Sequence, residues 1–146
     1  MPSRRGPDRR LIADRLHSAA IHLLRRLRRT DETTGLSAPK LSALSVVVHA
    51  GPIALGDLAA AEQVRPPTIT RVVHDLEKAG LVKRLVDADD RRVMRIKATA
   101  TGRRVLKAGR NQRVALLVEW LDALPNAEYS ALKEAVAILE KLGRPK

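Results

Sequence analysis

The apolar positions of this chain repeat with a helical period over most of its length and with a period of two over one short stretch. From about Arg9 to Arg29, Ile12, Leu16, Ala19, Ala20, Leu23, Leu24 and Leu27 fall on one stripe, which predicts a long amphipathic helix. Ser37 is placed to cap a second helix that runs to His49 through Leu41, Leu44, Val47 and Val48, with Gly51 and Pro52 ending it. Leu55, Leu58 and Ala59 then give a short helix one apolar side, and Val64 closes a turn. Pro66 suits the first turn of the next helix, where its missing N–H costs nothing. In that helix Ile69, Val72, Val73 and Leu76 form the inward side, while Pro67, Thr68, Thr70, Arg71, His74 and Lys78 face out. Gly80 stops it.

At Leu81 to Val86 the period changes to that of a strand. An Asp-rich turn follows, and Val93, Arg95 and Lys97 alternate with Met94, Ile96 and Ala98 on a return strand. Thr99 and Gly102 lead into a helix reaching Leu124, Pro125 and Asn126 interrupt, and a last helix carries Leu132, Val136, Leu139 and Leu142 on one side. Helix, turn, helix, strand, charged loop, strand over residues 52–99 is the layout of a winged helix-turn-helix, which sets one helix in a DNA groove and a basic loop beside it.

The expected fold is therefore mainly α with a small β-wing, flanked by N- and C-terminal dimerisation helices. The expected divisions are a flexible basic tail at 1–8, a dimerisation helix and connection at 9–36, the DNA-binding domain at 37–99 and dimerisation helices at 100–146. The terminal helices are more apolar than a compact winged core can cover. A homodimer is expected, with Ile12, Leu16, Leu23, Leu121, Leu132, Val136 and Leu139 in its interface.

Composition sharpens this picture. The formal net charge is +12, which calls for a polyanionic partner but does not by itself separate DNA from RNA or a membrane surface. With no Phe, one Trp and one Tyr, packing falls to Leu, Val, Ile and Ala. The absence of Cys excludes disulfides, thiolate zinc sites and thiol-based oxidant sensing. No apolar run is long enough to span a membrane, and the start MPSRRGPDRR lacks the apolar stretch of a signal peptide, so a cytoplasmic protein without a membrane partner is expected. The four His form no HExxH-like arrangement; His17 and His22, five apart, lie on different helix faces, and neither a phosphate loop nor a nucleophile elbow occurs. Neither an enzyme, a metal site nor a cofactor is expected.

Three blocks carry a resemblance to a known family: LGDLA with VRPPTITRVVHDLEKAGLVKR, the wing DADDRR, and the TxxG of Thr99 to Gly102. In this order and spacing the chain resembles the multiple-antibiotic-resistance regulators (MarR family), dimeric winged-helix transcription factors. Two positions depart from the pattern. Arg65 stands where the family usually has a capping Ser, exchanging a cap worth ~1 kcal/mol for a positive charge beside DNA. Ala98 replaces the usual Leu of a Leu-Thr pair and loosens one packing position.

The resemblance implies a recognition helix contributing Arg65, Pro67, Thr68, Thr70, Arg71 and His74. Arg71 suits either the O6 and N7 of guanine or a phosphate. Thr68 and Thr70 suit phosphates, a thymine methyl or local capping; Pro67 suits a thymine methyl or is only a helix starter; His74 suits a phosphate or is plainly exposed. In the wing, Asp90 is expected to brace Arg92 for the minor groove and Arg91 to meet a phosphate, against the plainer reading of a charged hairpin tip. Ser37 and Lys40 are expected at the DNA backbone. By position alone, His17, Ile21, His49 and Trp120 would line an effector crevice for a small apolar or anionic molecule. The implied function is a sequence-specific regulator of double-stranded DNA, a repressor that binds a pseudo-palindromic operator as a homodimer and is released by such an effector. The rival reading is a nucleoid protein that binds DNA without sequence preference.

Overall fold

A computed structural model describes residues 5–29 and 34–143. These residues form helices α1 (Arg5–Arg28), α2 (Ala38–Ala50), α3 (Leu55–Ala61), α4 (Pro66–Lys78), α5 (Ala100–Asp122) and α6 (Asn126–Leu142), with strands β1 (Ile53–Ala54), β2 (Val82–Val86) and β3 (Met94–Ala98). The architecture is mainly helical with one small antiparallel sheet, as the apolar pattern predicts. Residues 1–4 of the expected tail and 30–33 of the expected connection lie outside the described residues. The rest of that tail is helical: α1 starts at Arg5, with Asp8 in its first turn, where a carboxylate favours a helix N-terminus.

The chain divides into two units, Met1–Asn111 and Gln112–Lys146. The first has one continuous core. Leu44 and Val47 of α2, Leu58 of α3, Ile69, Val73 and Leu76 of α4, and Val82 and Ile96 of the sheet interlock with their side chains withdrawn from solvent. Ser37 holds the cap position of α2, although its hydroxyl makes no capping bond; only its carbonyl accepts, from Leu41 N–H. Gly80, at φ +74°, ends α4. Leu81 N–H returns to the Leu76 carbonyl and Gly80 N–H to the Glu77 carbonyl, the pair of bonds by which a left-handed glycine closes a helix and turns the chain.

The sheet has the order β1-β3-β2. In the wing hairpin Val82 faces Ala98 and Val86 faces Met94, so Val82, Ile96 and Ala98 face the core while Lys83 and Lys97 are exposed. The strand β1 has no counterpart in the apolar pattern. Two residues cannot show an alternation, and Ile53 and Ala54 become a strand only by pairing with Ile96 and Arg95.

Gly102 makes the junction of wing and α5 possible. A Cβ there would lie 2.1 Å from the Leu81 carbonyl oxygen. The Thr99 hydroxyl accepts from Gly102 N–H at 3.0 Å and donates to the Gly80 carbonyl at 2.7 Å, which ties the start of α5 to the end of α4.

Both units carry apolar side chains in the open. In the first, Ile12, Leu16, Ile21, Leu23 and Leu24 of α1 are exposed, and Leu27 alone is buried among that helix's apolar stripe. In the second, α6 has no buried residue; Leu132, Val136, Leu139 and Leu142 stand out of it. Leu121, Tyr129, Leu132, Lys133 and Val136 line an apolar cleft of about 220 Å³ there.

Candidate nucleic-acid interface

The outward side of α4 is displayed as its periodicity predicts. Pro67, Thr68, Thr70, Arg71, His74 and Lys78 are exposed, while Ile69, Val73 and Leu76 anchor the opposite side and Val72 is half-buried against the core. The helix start has an unusual chemistry. Pro66 and Pro67 have no N–H, and the Thr68 and Ile69 N–H groups both point back to the Arg65 carbonyl, at 3.0 and 3.3 Å. Arg65 occupies the cap position with no side-chain bond, as expected of the residue that replaces a capping Ser. The Thr70 hydroxyl donates to the Pro66 carbonyl at 2.8 Å. This is a bond back along the helix and not the capping bond considered for Thr70, and it occupies the hydroxyl proton.

Two acidic residues tie α4 to its neighbours. Asp75 accepts from Lys40 of α2 at 3.0 Å, and Glu77 accepts from Arg84 of β2 at 3.1 Å. The hydrogen bond from Lys40, with its positive charge, holds the Asp75 carboxyl below the usual carboxylate range. Lys40 thus has its ammonium on a carboxylate of the recognition helix, a partner 35 residues away that no local motif reveals. Ser37 is exposed beside it in sequence.

The wing tip is organised by carboxylates. Asp90 Oδ1 accepts from both the backbone N–H and the Nε–H of Arg92, at 3.0 and 3.2 Å, which is the geometry expected of a brace. The Arg92 side chain is otherwise 92% exposed, and Arg91 beside it is exposed as well. Asp87 was not singled out by sequence reasoning, which read it only as part of an Asp-rich turn. Its Oδ1 accepts from the backbone N–H of Asp89 at 2.8 Å and of Asp90 at 3.0 Å, while Oδ2 takes the Nε–H of Arg95. The Arg95 bond foremost, then those two N–H groups, pull the Asp87 carboxyl down to about 2. Asp before a tight turn, two and three residues ahead of free N–H groups, is the signal that marks such a residue.

The residues expected to line an effector crevice are spread over three helices. His17 and Ile21 are exposed on α1, and His49 near the end of α2 has Nδ1 2.7 Å from the Ser45 carbonyl oxygen. Trp120 is half-buried on α5 in the second unit. On the first half of α5, exposed Arg103 spends one N–H on the Ala98 carbonyl at 3.0 Å.

The sequence and the fold are similar to those of known proteins. The MarR family model matches residues 36–94, from the start of α2 into the return strand of the wing. An HTH-type transcriptional regulator of Mycobacterium tuberculosis is 34% identical over 132 residues, covering 90% of this chain and 92% of the relative. Among solved structures, a putative transcriptional regulator from Pseudomonas aeruginosa superposes with a TM-score of 0.81 at 27% identity, covering 96% of this chain and 99% of its own. A mutant of Staphylococcus aureus MepR bound to an oligodeoxyribonucleotide superposes at 0.72, with 19% identity and coverage of 90% and 97%. A relative 34% identical over nearly the full length of both chains, together with the family-model match, establishes that the chain belongs to the MarR family, as a DNA-binding transcriptional regulator and not an enzyme.

Proposed function

We propose that this protein is a repressor that binds a pseudo-palindromic operator as a homodimer. The observation that carries the reading is the coexistence of a display surface for DNA with uncovered apolar helices. The cations of α4 and the wing tip face solvent, and so do Ile12, Leu16 and Leu23 of α1 and Leu132, Val136 and Leu139 of α6. Apolar stripes of that kind are covered most simply by a second copy, and Leu121 beside α6 joins them. A two-fold dimer sets two recognition helices roughly 34 Å apart, one turn of B-DNA, and so reads an inverted repeat. The staphylococcal MepR structure, captured on an oligodeoxyribonucleotide, supports the same use of the fold.

In this reading Arg71 and Arg65 meet the major groove and its phosphates, with Thr68, His74 and Pro67 alongside. Arg92 enters the minor groove on its Asp90 brace, and Arg91 and Ser37 approach the backbone. Repression follows from occupying a promoter, and a small apolar or anionic effector releases the DNA.

The test is selection of genomic fragments on the purified protein, with sedimentation of the free protein and its complex. An enriched inverted repeat bound by two chains is expected, and adding apolar carboxylates to the complex checks release. A 16.1 kDa monomer at micromolar concentration would sink the dimer. Equal affinity for selected and random duplexes would instead favour a nucleoid protein, the reading the net charge of +12 would otherwise allow.

A further inference from the structure

The recognition helix is stayed from two sides, and one of the stays uses a cation that a family-based reading would give to DNA. Asp75 and Glu77 are two residues apart, about 200° around the helix. They therefore leave α4 on opposite flanks, Asp75 toward Lys40 of α2 and Glu77 toward Arg84 of β2. Two ties on opposite flanks act on rotation of the helix about its own axis, adding a fine adjustment to the orientation that burial of Ile69, Val73 and Leu76 already fixes. Arg71 lies one turn before Asp75 on the same side of the helix. The angle that the Lys40–Asp75 tie fixes is the angle at which Arg71 is presented.

The charge arithmetic points the same way. A carboxylate one turn from the exposed Arg71 opposes every phosphate that approaches, and in a chain of net charge +12 it lowers affinity for any DNA. A lysine engaged with that carboxylate forms a pair with no net charge, and a phosphate approaching the lysine would meet the repulsion of the carboxylate beside it. With side chains 33% and 40% exposed, the pair contributes little to fold stability, so its consequence lies in orientation.

We propose that Lys40 serves recognition by holding Asp75, not by holding a phosphate, and that Asp75 is a positioning residue that raises the preference for the operator over random DNA. This rests on the operator reading above and deepens it.

The test measures affinity of the full-length protein for a selected operator and a random duplex across a salt series, with melting temperatures. The variants are Lys40→Ala, Lys40→Arg and Asp75→Asn. Lys40→Ala is expected to leave the salt slope unchanged and to lower the operator preference about threefold to fivefold, the range open to an exposed ion pair. Asp75→Asn frees Lys40 for phosphate, so binding to random DNA should tighten and its salt slope steepen by ~0.9 per protomer, while the preference falls. Lys40→Arg keeps the tie and should keep the preference. Melting temperatures should stay nearly level, because an ion pair this open to solvent adds little to stability.

A slope made shallower by ~0.9 per protomer in Lys40→Ala would put Lys40 on a phosphate and overturn the proposal. So would an Asp75→Asn variant that tightens on operator and random DNA alike with its preference intact, or a Lys40→Arg variant that loses preference. A wild-type protein without any operator preference would instead sink the operator reading, and the slopes on random duplex would still tell whether Lys40 is withheld from DNA.

Discussion

Helix α4 and the wing both display exposed cations, but they are held in place by opposite means. Helix α4 is fixed from behind, by Ile69, Val73 and Leu76, none more than 1% exposed. The wing tip has no such backing. Its order comes from Asp87 and Asp90, whose carboxylates collect the backbone N–H groups of Asp89, Asp90 and Arg92 and the side chains of Arg95 and Arg92. In a chain with no Phe and a single Trp, a small hairpin has little to bury, and acidic side chains replace the missing core. In the proposed reading, negative charge stands in a DNA-binding loop because the geometry it confers outweighs the attraction it costs.

The sharpest way to separate the two modes is to remove one apolar anchor. Leu76→Ala empties a fully buried site shared by α2, α3, α4 and the sheet, and should lower stability by ~2–5 kcal/mol. Chemical denaturation would show it, and DNA binding would be lost with the fold. A stable variant would mean that α4 does not depend on its buried side.

Removing the wing's main organiser should do the reverse. Asp87→Ala is expected to weaken specific DNA binding about tenfold, the scale of one positioned groove contact, and to lower the melting temperature by less than Leu76→Ala does. Plain electrostatics predicts tighter binding on loss of a negative charge, so the sign decides the matter. The Asp87 carboxyl titrates at about 2, below its ordinary 3.8. Its stabilising effect is therefore complete above the ordinary value and lost as the pH falls from there through about 2. Amide exchange of Asp89 and Asp90 should show wing order that is constant through neutral pH and released only under strong acid.

Asp90→Ala tests the same idea on a single arginine, with an expected loss of about threefold against the operator, part of the value of a groove contact. Arg92→Ala should exceed it and Arg28→Ala should not, in binding titrations at one salt concentration. An effect of similar size, on stability and not on binding, is expected at Gln63, in the turn between α3 and α4, which adopts φ +55°. Gln63→Gly relieves that left-handed strain at some cost in unfolded-chain entropy, for a net gain of ~0.5–1 kcal/mol that thermal melting would detect.

The buried mode was legible in the sequence and the polar mode only in part. Period 3.6 in α4 separates Ile69, Val73 and Leu76 from Arg71 and His74 without tertiary knowledge, and Gly80 and the Thr99–Gly102 motif mark its surroundings by local backbone chemistry. Asp90 and Arg92 are two residues apart, so their pairing is also local. The Lys40–Asp75 tie joins two helices distant in sequence, which no periodicity reports. Strand β1 exists through its partner β3 alone. The left-handed turn at Gln63 escapes for another reason, since the glycine that usually signals such a backbone is absent there.

The paired prolines at the start of α4 bear on how such a regulator changes its target. A helix that begins with free N–H groups offers an anion a contact written into the main chain, which no substitution except one to proline removes. Here Pro66 and Pro67 have none to offer, and those of Thr68 and Ile69 are already turned to the Arg65 carbonyl. Whatever meets DNA at this tip is encoded in side chains, each one codon's choice. In the proposed reading, the contacts at this end of the helix rest on the side chains of Arg65, Pro67 and Thr68, and a single substitution at any of them can rewrite what the tip recognises.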